Sequence, residues 1–241
     1  MLDNFHFQNV LFIDIETVPL YPSYENLPGK WKSLWDIKAS HLTRTEEPPS
    51  ELYRRAGIYA EFGKVICVSA GYFRLLPGGQ RHFRIKSFFG DTEKDLLLKF
   101  AELLNMHFNG KNHLLCAHNG KEFDFPYLSR RMLVNGISLP KLLDNAGKKP
   151  WEVNLLDTME MWRFGDNKSF TSLLLLTSLF DIPTPKGDID GSMVYEVYWK
   201  NRDLPRIVKY CQRDVVAVAQ IMLKFKGEPL LSDAEIMETE E

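Results

Sequence analysis

The stretch LFIDIETVPL, residues 11–20, decides the fold, because an apolar, β-branched run carries two acids, Asp14 and Glu16. Residues 9–18 are predicted to form a strand, and both of its faces are apolar up to Asp14, which is typical of a central strand. Side chains alternate along a strand, so the two carboxylates point to the same face. The alternative is that both acids lie at the end of the strand and face water.

The two acids of this strand carry like charges, with backbones roughly 6.6 Å apart at about 3.3 Å per residue. In a partly buried site, each carboxylate raises the pKa of the other and destabilises the fold unless something offsets the charge. A hard divalent cation offsets it well, since Mg²⁺ prefers carboxylate oxygens. A short motif of this kind has many false positives, so further acids must converge on the same place.

Length and composition favour one domain over residues 1–227, because 241 residues with 44% hydrophobic content can bury a sizeable core. The net charge of −2 argues against a non-specific duplex binder. The cysteines Cys67, Cys116 and Cys211 have neither zinc-site nor disulfide-framework spacing, which suits a reducing compartment. No basic leader and no apolar run of membrane length occurs, so we expect a soluble cytoplasmic protein without membrane contact.

The order of the predicted elements is that of an α/β protein with a mixed central β-sheet flanked by helices. Strands are predicted at 9–18, 64–73, 81–89 and 113–119 and at the start of 152–162. Helices are predicted at 91–105 with Asp91 as cap, at 125–136, in the rest of 152–162, at 169–180 (buried), at 191–200 and at 203–225. An irregular insertion spans about 20–57, with a short helix starting near residue 49, and the acidic tail 228–241 is expected to be disordered.

Two further stretches place acids where elements begin or face a cleft. In HNGKEFDFPYL, residues 118–128, Asp124 follows a strand at the start of a helix, where it is either a metal ligand or an N-cap. In YCQRDV, residues 210–215, Tyr210 and Asp214 share one helical face at the edge of an apolar stripe, so Asp214 is expected to face the sheet. Asp157 also follows a strand, and the preferred interpretation there is an N-cap.

The motifs DIET, NGKEFD and YCQRD, in this order, resemble those of DnaQ-like 3′–5′ exonucleases of the DEDDy subgroup, in which the third motif has Tyr four residues before Asp. The pattern around Asn119, Phe123 and Asp124 looks most like the proofreading exonuclease of family B DNA polymerases. The resemblance runs from about residue 9 to 225, without a polymerase domain, as in stand-alone relatives found mainly in bacteria. It implies an RNase H-like fold.

The resemblance also implies a metal-dependent 3′–5′ exonuclease that releases nucleoside 5′-monophosphates from the 3′ end of DNA, with single strands the expected form. Tyr210 would orient the attacking water. Thr17 would contact the terminal nucleotide, Phe123 would lie against the terminal base, and Asn119 would orient Asp124 or contact a phosphate. The metal ligands for two Mg²⁺ or Mn²⁺ ions would be Asp14, Glu16, Asp124 and Asp214.

Three alternatives stay open. The same acids serve 3′–5′ exoribonucleases, and the sequence does not show how the site treats the 2′-hydroxyl. A HAD-type phosphatase would need Asp two residues after the first Asp, where Glu16 stands. A catalytically silent nucleic-acid-binding module on the same scaffold ranks low, because all five catalytic positions are filled. A replication or repair protein partner is conceivable but is not specified by the sequence.

Overall fold

A six-stranded mixed sheet organises the chain, in the strand order β5-β4-β1-β2-β3-β6. The computed structural model describes residues 5–42, 47–166, 168, 170–183 and 188–239. The strands are β1 (Val10–Pro19), β2 (Gly63–Leu75), β3 (Arg81–Phe89), β4 (Leu114–Ala117), β5 (Leu155–Asp157) and β6 (Ile236–Glu238). The helices are α1 (Gly29–Ala39), α2 (Pro49–Leu52), α3 (Glu93–His107), α4 (Asp124–Val134), α5 (Thr158–Arg163), α6 (Leu173–Leu179), α7 (Val194–Trp199) and α8 (Leu204–Phe225).

The predicted central position of the first strand is confirmed. β1 pairs antiparallel with β2 and parallel with β4, so it has neighbours on both edges. Its alternating side chains enter two different cores. Leu11, Ile13 and Ile15 join the core beneath α3 and α4, whereas Val10 and Phe12 join the core beneath α8. Asp14 and Glu16 share the parity of Val10 and Phe12 and therefore lie on the α8 face.

The insertion 20–57 was predicted to be irregular, and most of it is instead helical. Besides α1 and α2 it contains 3-10 turns at Tyr24–Asn26 and Tyr53–Ile58. Trp35 of α1 is fully buried, and its indole N–H donates to the carbonyl of Pro49 at 2.8 Å. Rings from outside α1, including Tyr53 and Phe62, pack around Trp35. This segment thus has a small core of its own, which local sequence could not announce.

The segment 228–241 was expected to be disordered, and its described part is ordered to residue 239. A 3-10 turn at Asp233–Glu235 leads into β6, which pairs parallel with β3. Arg81 of β3 holds the turn through an ion pair with Glu235, at 3.0 Å between Nε and Oε1. Tertiary contacts therefore order an acidic segment whose composition alone indicates disorder.

Two smaller predictions were also wrong. The N-cap residue of α3 is Thr92, and the carboxylate of Asp91 instead accepts a hydrogen bond from the Tyr198 hydroxyl at 2.6 Å. The helix expected at 169–180 is shorter, and much of its apolar surface faces water, with Leu174 70% exposed. Within the described ranges, no helix combines the length and apolar character needed to cross a membrane.

Candidate active site

The first two acids of the site project from β1 towards α8. Glu16 is buried, with 8% of its surface exposed, and Asp14 is half-buried. The pairing of β1 with β2 shifts register between Glu16 and Thr17, because Ile66 is the extra residue on β2. Bulges of this kind increase local twist and re-aim neighbouring side chains. The sheet is therefore irregular at the point where Glu16 enters the site.

Asp124 reaches the same place from the other side of β1. It is the first residue of α4, and the N-cap position belongs to Phe123, so the N-cap interpretation of Asp124 was wrong. Its Oδ1 accepts a hydrogen bond from the backbone N–H of Ile15 at 3.2 Å. The turn before α4 is tight, because a Cβ on Gly120 would collide with Ala117. Asp124 is thus fixed against the backbone between Asp14 and Glu16.

Helix α8 supplies the remaining two groups, Tyr210 and Asp214. The helix is capped by Asp203, whose carboxylate accepts from the N–H of Arg206 at 3.3 Å, and it packs across β1 and β2. Tyr210 and Asp214 are one turn apart, and the Tyr210 hydroxyl hydrogen-bonds the Asp214 carboxylate. The structure therefore brings together all five of the predicted catalytic side chains.

The electrostatics of the cluster are those of like charges out of water. Burial, followed by repulsion from Glu16, Asp214 and Asp124, holds the pKa of Asp14 well above its ordinary value. Burial and the charge of Asp214 do the same to the pKa of Glu16. Burial raises the pKa of Asp124 to about 7 and that of Asp214 to about 6. A bare cluster of this kind destabilises the fold wherever the carboxylates ionise together.

The donor set fits a divalent cation. Asp14 Oδ2 is buried and has no hydrogen-bond partner in the described part of the chain, so one strong acceptor is left to a ligand. Asp14 and Glu16 each place a carboxylate oxygen in one group whose ligand atoms all lie within 4.8 Å of one another. Carboxylate oxygens are the ligands that Mg²⁺ and Mn²⁺ prefer.

The three residues predicted to bind substrate lie around the cluster, in different settings. Thr17 points to the opposite face of β1, where it hydrogen-bonds the hydroxyl of Tyr127. Phe123 is half-buried, and its ring packs against that of Tyr127 with centroids 5.3 Å apart. Asn119 has a left-handed backbone with φ of 60°, and its buried Oδ1 has no partner among the described residues. Only its unpaired amide oxygen presents an unused polar group.

Asp157 is an N-cap, as predicted, but its carboxylate does more than cap α5. It accepts from the N–H groups of Met159 and Glu160, at 2.9 and 3.2 Å, in the first turn of α5. It also accepts from the N–H groups of Asn119 and Lys121, both at 3.0 Å, in the turn that leads to Asp124. Asp157 therefore positions the second motif, a role that its sequence context did not announce.

Two cysteines that carried no functional prediction also border the acids. The Cys211 thiol donates to the backbone carbonyl of Asp14, with Sγ and O 3.3 Å apart. Its Sγ belongs to the same close group as the carboxylate oxygens of Asp14 and Glu16. Cys67 stands opposite Glu16 in the β1–β2 pairing and hydrogen-bonds Cys211. The sequence signal available was only that Cys211 lies on the apolar stripe of α8.

Comparisons with known proteins follow the geometry. Residues 58–233 match the sequence profile of a family described as "Predicted 3'-5' exonuclease related to the exonuclease domain of PolB". The match includes Asp124, Tyr210 and Asp214 and starts after β1. None of the curated proteins compared with this chain matches it.

The family B DNA polymerase of the hyperthermophilic archaeon Pyrobaculum calidifontis has a similar structure, with a TM-score of 0.53 at 16% sequence identity. The similarity covers 90% of this chain and 24% of the polymerase, so the chain spans about a quarter of that protein's length. At this identity the likeness establishes the fold alone. The predicted α/β fold of RNase H type is confirmed.

Proposed function

This chain belongs to the family of predicted 3′–5′ exonucleases related to the exonuclease domain of PolB, and we propose that it hydrolyses DNA from the 3′ end, one nucleoside 5′-monophosphate at a time. The observation that carries the proposal is the convergence of four carboxylates and one tyrosine from three separate motifs. Asp14 and Glu16 come from β1, Asp124 from α4, and Tyr210 and Asp214 from α8.

Four carboxylates would hold two divalent cations, Mg²⁺ or Mn²⁺: Asp14, Glu16, Asp124 and Asp214. The raised pKa values of these groups and the unpaired Oδ2 of Asp14 support this assignment, because a bound cation offsets both. When bound, two such ions activate a water and stabilise the charge that develops on the phosphate oxygens. The chain's own part is to fix the carboxylates through the sheet and through the Asp124–Ile15 hydrogen bond.

Tyr210 would hold the attacking water in line with the scissile phosphate. Burial and the charges of Asp214, Glu16 and Asp14 raise the pKa of its hydroxyl far above the ordinary value. The hydroxyl therefore stays protonated at neutral pH and makes a poor general base. Orientation through a hydrogen bond, and not proton abstraction, is the role that this environment supports.

Substrate contacts would come from the turn before α4 and from the end of the DIET motif. The unpaired amide oxygen of Asn119 and the half-buried ring of Phe123 lie beside Asp124 in the chain. A ring can stack on any base, which suits an enzyme without sequence preference. Thr17 is engaged by Tyr127 through its side chain, so its contact with a nucleotide would use the backbone.

The substrate that we propose is single-stranded DNA. A net charge of −2 gives no general attraction for a duplex, so binding depends on local contacts at the 3′ end. The RNA-degrading reading uses the same acids, and only the treatment of the 2′-hydroxyl separates the two.

The test uses the purified chain with 5′-labelled single-stranded DNA and RNA of the same sequence, in Mg²⁺, in Mn²⁺ and in EDTA. We expect a ladder that shortens from the 3′ end, faster for DNA, and absent in EDTA and in the Asp14→Ala/Glu16→Ala double variant. A faster ladder on RNA would replace DNA by RNA as the substrate. No cleavage of either strand in either metal would overturn the proposed reaction.

A further inference from the structure

Two sulfur atoms lie where a nuclease site needs only oxygen. Cys211 Sγ and the carboxylate oxygens of Asp14 and Glu16 all lie within 4.8 Å of one another. The Cys67 thiol hydrogen-bonds Cys211, and Cys67 is the strand partner of Glu16. Both cysteines are fully buried and are free thiols. Two thiols and two carboxylates therefore face one another across the β2–β1–α8 junction.

We propose that Cys67, Cys211, Asp14 and Glu16 form a binding site for a thiophilic divalent cation such as Zn²⁺, distinct in its donor set from the oxygen-only magnesium site. Zinc accepts thiolate and carboxylate ligands together and is usually four-coordinate. Magnesium requires oxygen donors and does not use sulfur. The donors on α8 and β2 thus select a different metal from the donors on β1 and α4.

The binding step releases protons. Each thiol that ligates Zn²⁺ exchanges its S–H bond for an S–Zn bond, and its proton passes to solvent. The hydrogen bond from Cys211 to the carbonyl of Asp14 is lost at the same time, so that carbonyl loses a donor. No electron is transferred, and no oxidant is needed.

The site has a consequence for catalysis, and this part of the inference rests on the proposed function. Asp14 and Glu16 belong to both donor sets, so a zinc ion held by the thiols withdraws two carboxylates from magnesium. Zinc should therefore inhibit the nuclease in competition with Mg²⁺, and the two thiols should make the inhibition tight. A site of oxygen ligands alone would exchange the two metals more freely.

Cadmium is the probe of choice, because thiolate-bound Cd²⁺ gives an ultraviolet charge-transfer band that does not require activity. The wild-type protein is titrated with Cd²⁺ beside the variants Cys67→Ser and Cys211→Ser. Cys116→Ser is the matched control, because Cys116 is equally buried in β4 but lies outside the close group of donors. Circular dichroism and melting of each variant establish that it folds.

We expect the band in wild type and in Cys116→Ser, and its loss in the other two variants. Zinc affinity, measured against a fluorescent chelator, should fall at least tenfold in those two, since losing even an outer partner of a metal ligand costs about 10–100-fold. A band of equal strength in all four proteins, or none in wild type, would overturn the site. A band with no nuclease activity in any metal would leave the site standing and overturn the nuclease, so the two failures are distinguishable.

Discussion

The Asp124 carboxylate accepts a hydrogen bond from the backbone N–H of Ile15, with Oδ1 and N 3.2 Å apart, so α4 is tied to β1 exactly between Asp14 and Glu16. The bond lowers the pKa of Asp124, but burial raises it more, and the net result is a pKa of about 7. One backbone donor thus fixes the acid in place without neutralising it. A ligand with positive charge is the missing partner.

Replacing Asp14 by Asn should abolish hydrolysis. The substitution keeps the shape of the side chain but removes a charged metal ligand. Losing several kcal/mol of transition-state stabilisation corresponds to about 10³-fold or more in rate. The exposed Asp144 provides the matched control, and Asp144→Asn should keep the wild-type rate. Single-turnover cleavage of labelled DNA in Mg²⁺ measures both, and near-normal cleavage by Asp14→Asn would remove Asp14 from the site.

Replacing Tyr210 by Phe should slow cleavage about 10²-fold, the low end for a positioned proton-transfer or orienting group. Metal binding should be retained, because the hydroxyl is not among the proposed ligands. Tyr24→Phe is the control, since it removes the same kind of hydrogen bond, from a tyrosine hydroxyl to Asp36 at 2.7 Å, in the insertion. An unchanged rate for Tyr210→Phe at saturating Mg²⁺ would contradict the orienting role.

The metal-free protein should lose stability as the pH rises through about 6 to 7. The folded pKa values of Asp214 and Asp124, about 6 and about 7, exceed the ordinary value of 3.8, so the folded state binds more protons than the unfolded state. This contribution is therefore complete below about pH 4 and lost above pH 7. Melting curves in EDTA and in Mg²⁺ should show a larger metal effect at pH 8 than at pH 5.

The variant Asp124→Asn separates this titration from others in the protein. Asn keeps an acceptor for the N–H of Ile15 but carries no charge. In EDTA, its melting temperature should exceed that of wild type at pH 8 and should lose that advantage at pH 5. An equal difference between the two proteins at both pH values would contradict the raised pKa of Asp124.

Removing the Asp157 carboxylate should damage both stability and catalysis. Asp157→Ala abolishes an N-cap, worth about 1 kcal/mol, and leaves the N–H groups of Asn119 and Lys121 without their acceptor, at about 1–3 kcal/mol. We expect a total loss of about 2–4 kcal/mol and a lower rate, because the turn positions Asp124. Ser172→Ala removes only a cap and should cost about 1 kcal/mol without changing the rate. Equal stability losses in urea titrations would contradict the second role of Asp157.

The sequence revealed the acids because their signals are local. An apolar strand that ends in Asp14 and Glu16, and a helix that places Tyr210 and Asp214 one turn apart, can be recognised from a few residues each. The order of strands and helices likewise predicted a mixed sheet. These elements are specified by their own periodicity, which tertiary contacts then reinforce.

What could not be predicted depends on contacts between distant segments. Trp35 is buried by rings from later in the chain, so α1 gains its packing only in the folded protein. The three residues of β6 become a strand through pairing with β3, against an acidic composition. The approach of Cys67 to Cys211 likewise exists only once α8 has packed across the sheet. Propensity is a weak guide wherever packing decides.

The central claim is that this site hydrolyses the last phosphodiester bond of a strand. The most direct measurement follows a single-stranded DNA whose 3′-terminal nucleotide alone is labelled, through its internucleotide phosphate, in the first turnover. The account predicts that in Mg²⁺ the label appears at once as a nucleoside 5′-monophosphate, and that EDTA or Asp14→Asn leaves it in the oligonucleotide. Label that stays in internal fragments, or that leaves as inorganic phosphate or on the 3′ end of the shortened strand, would contradict it.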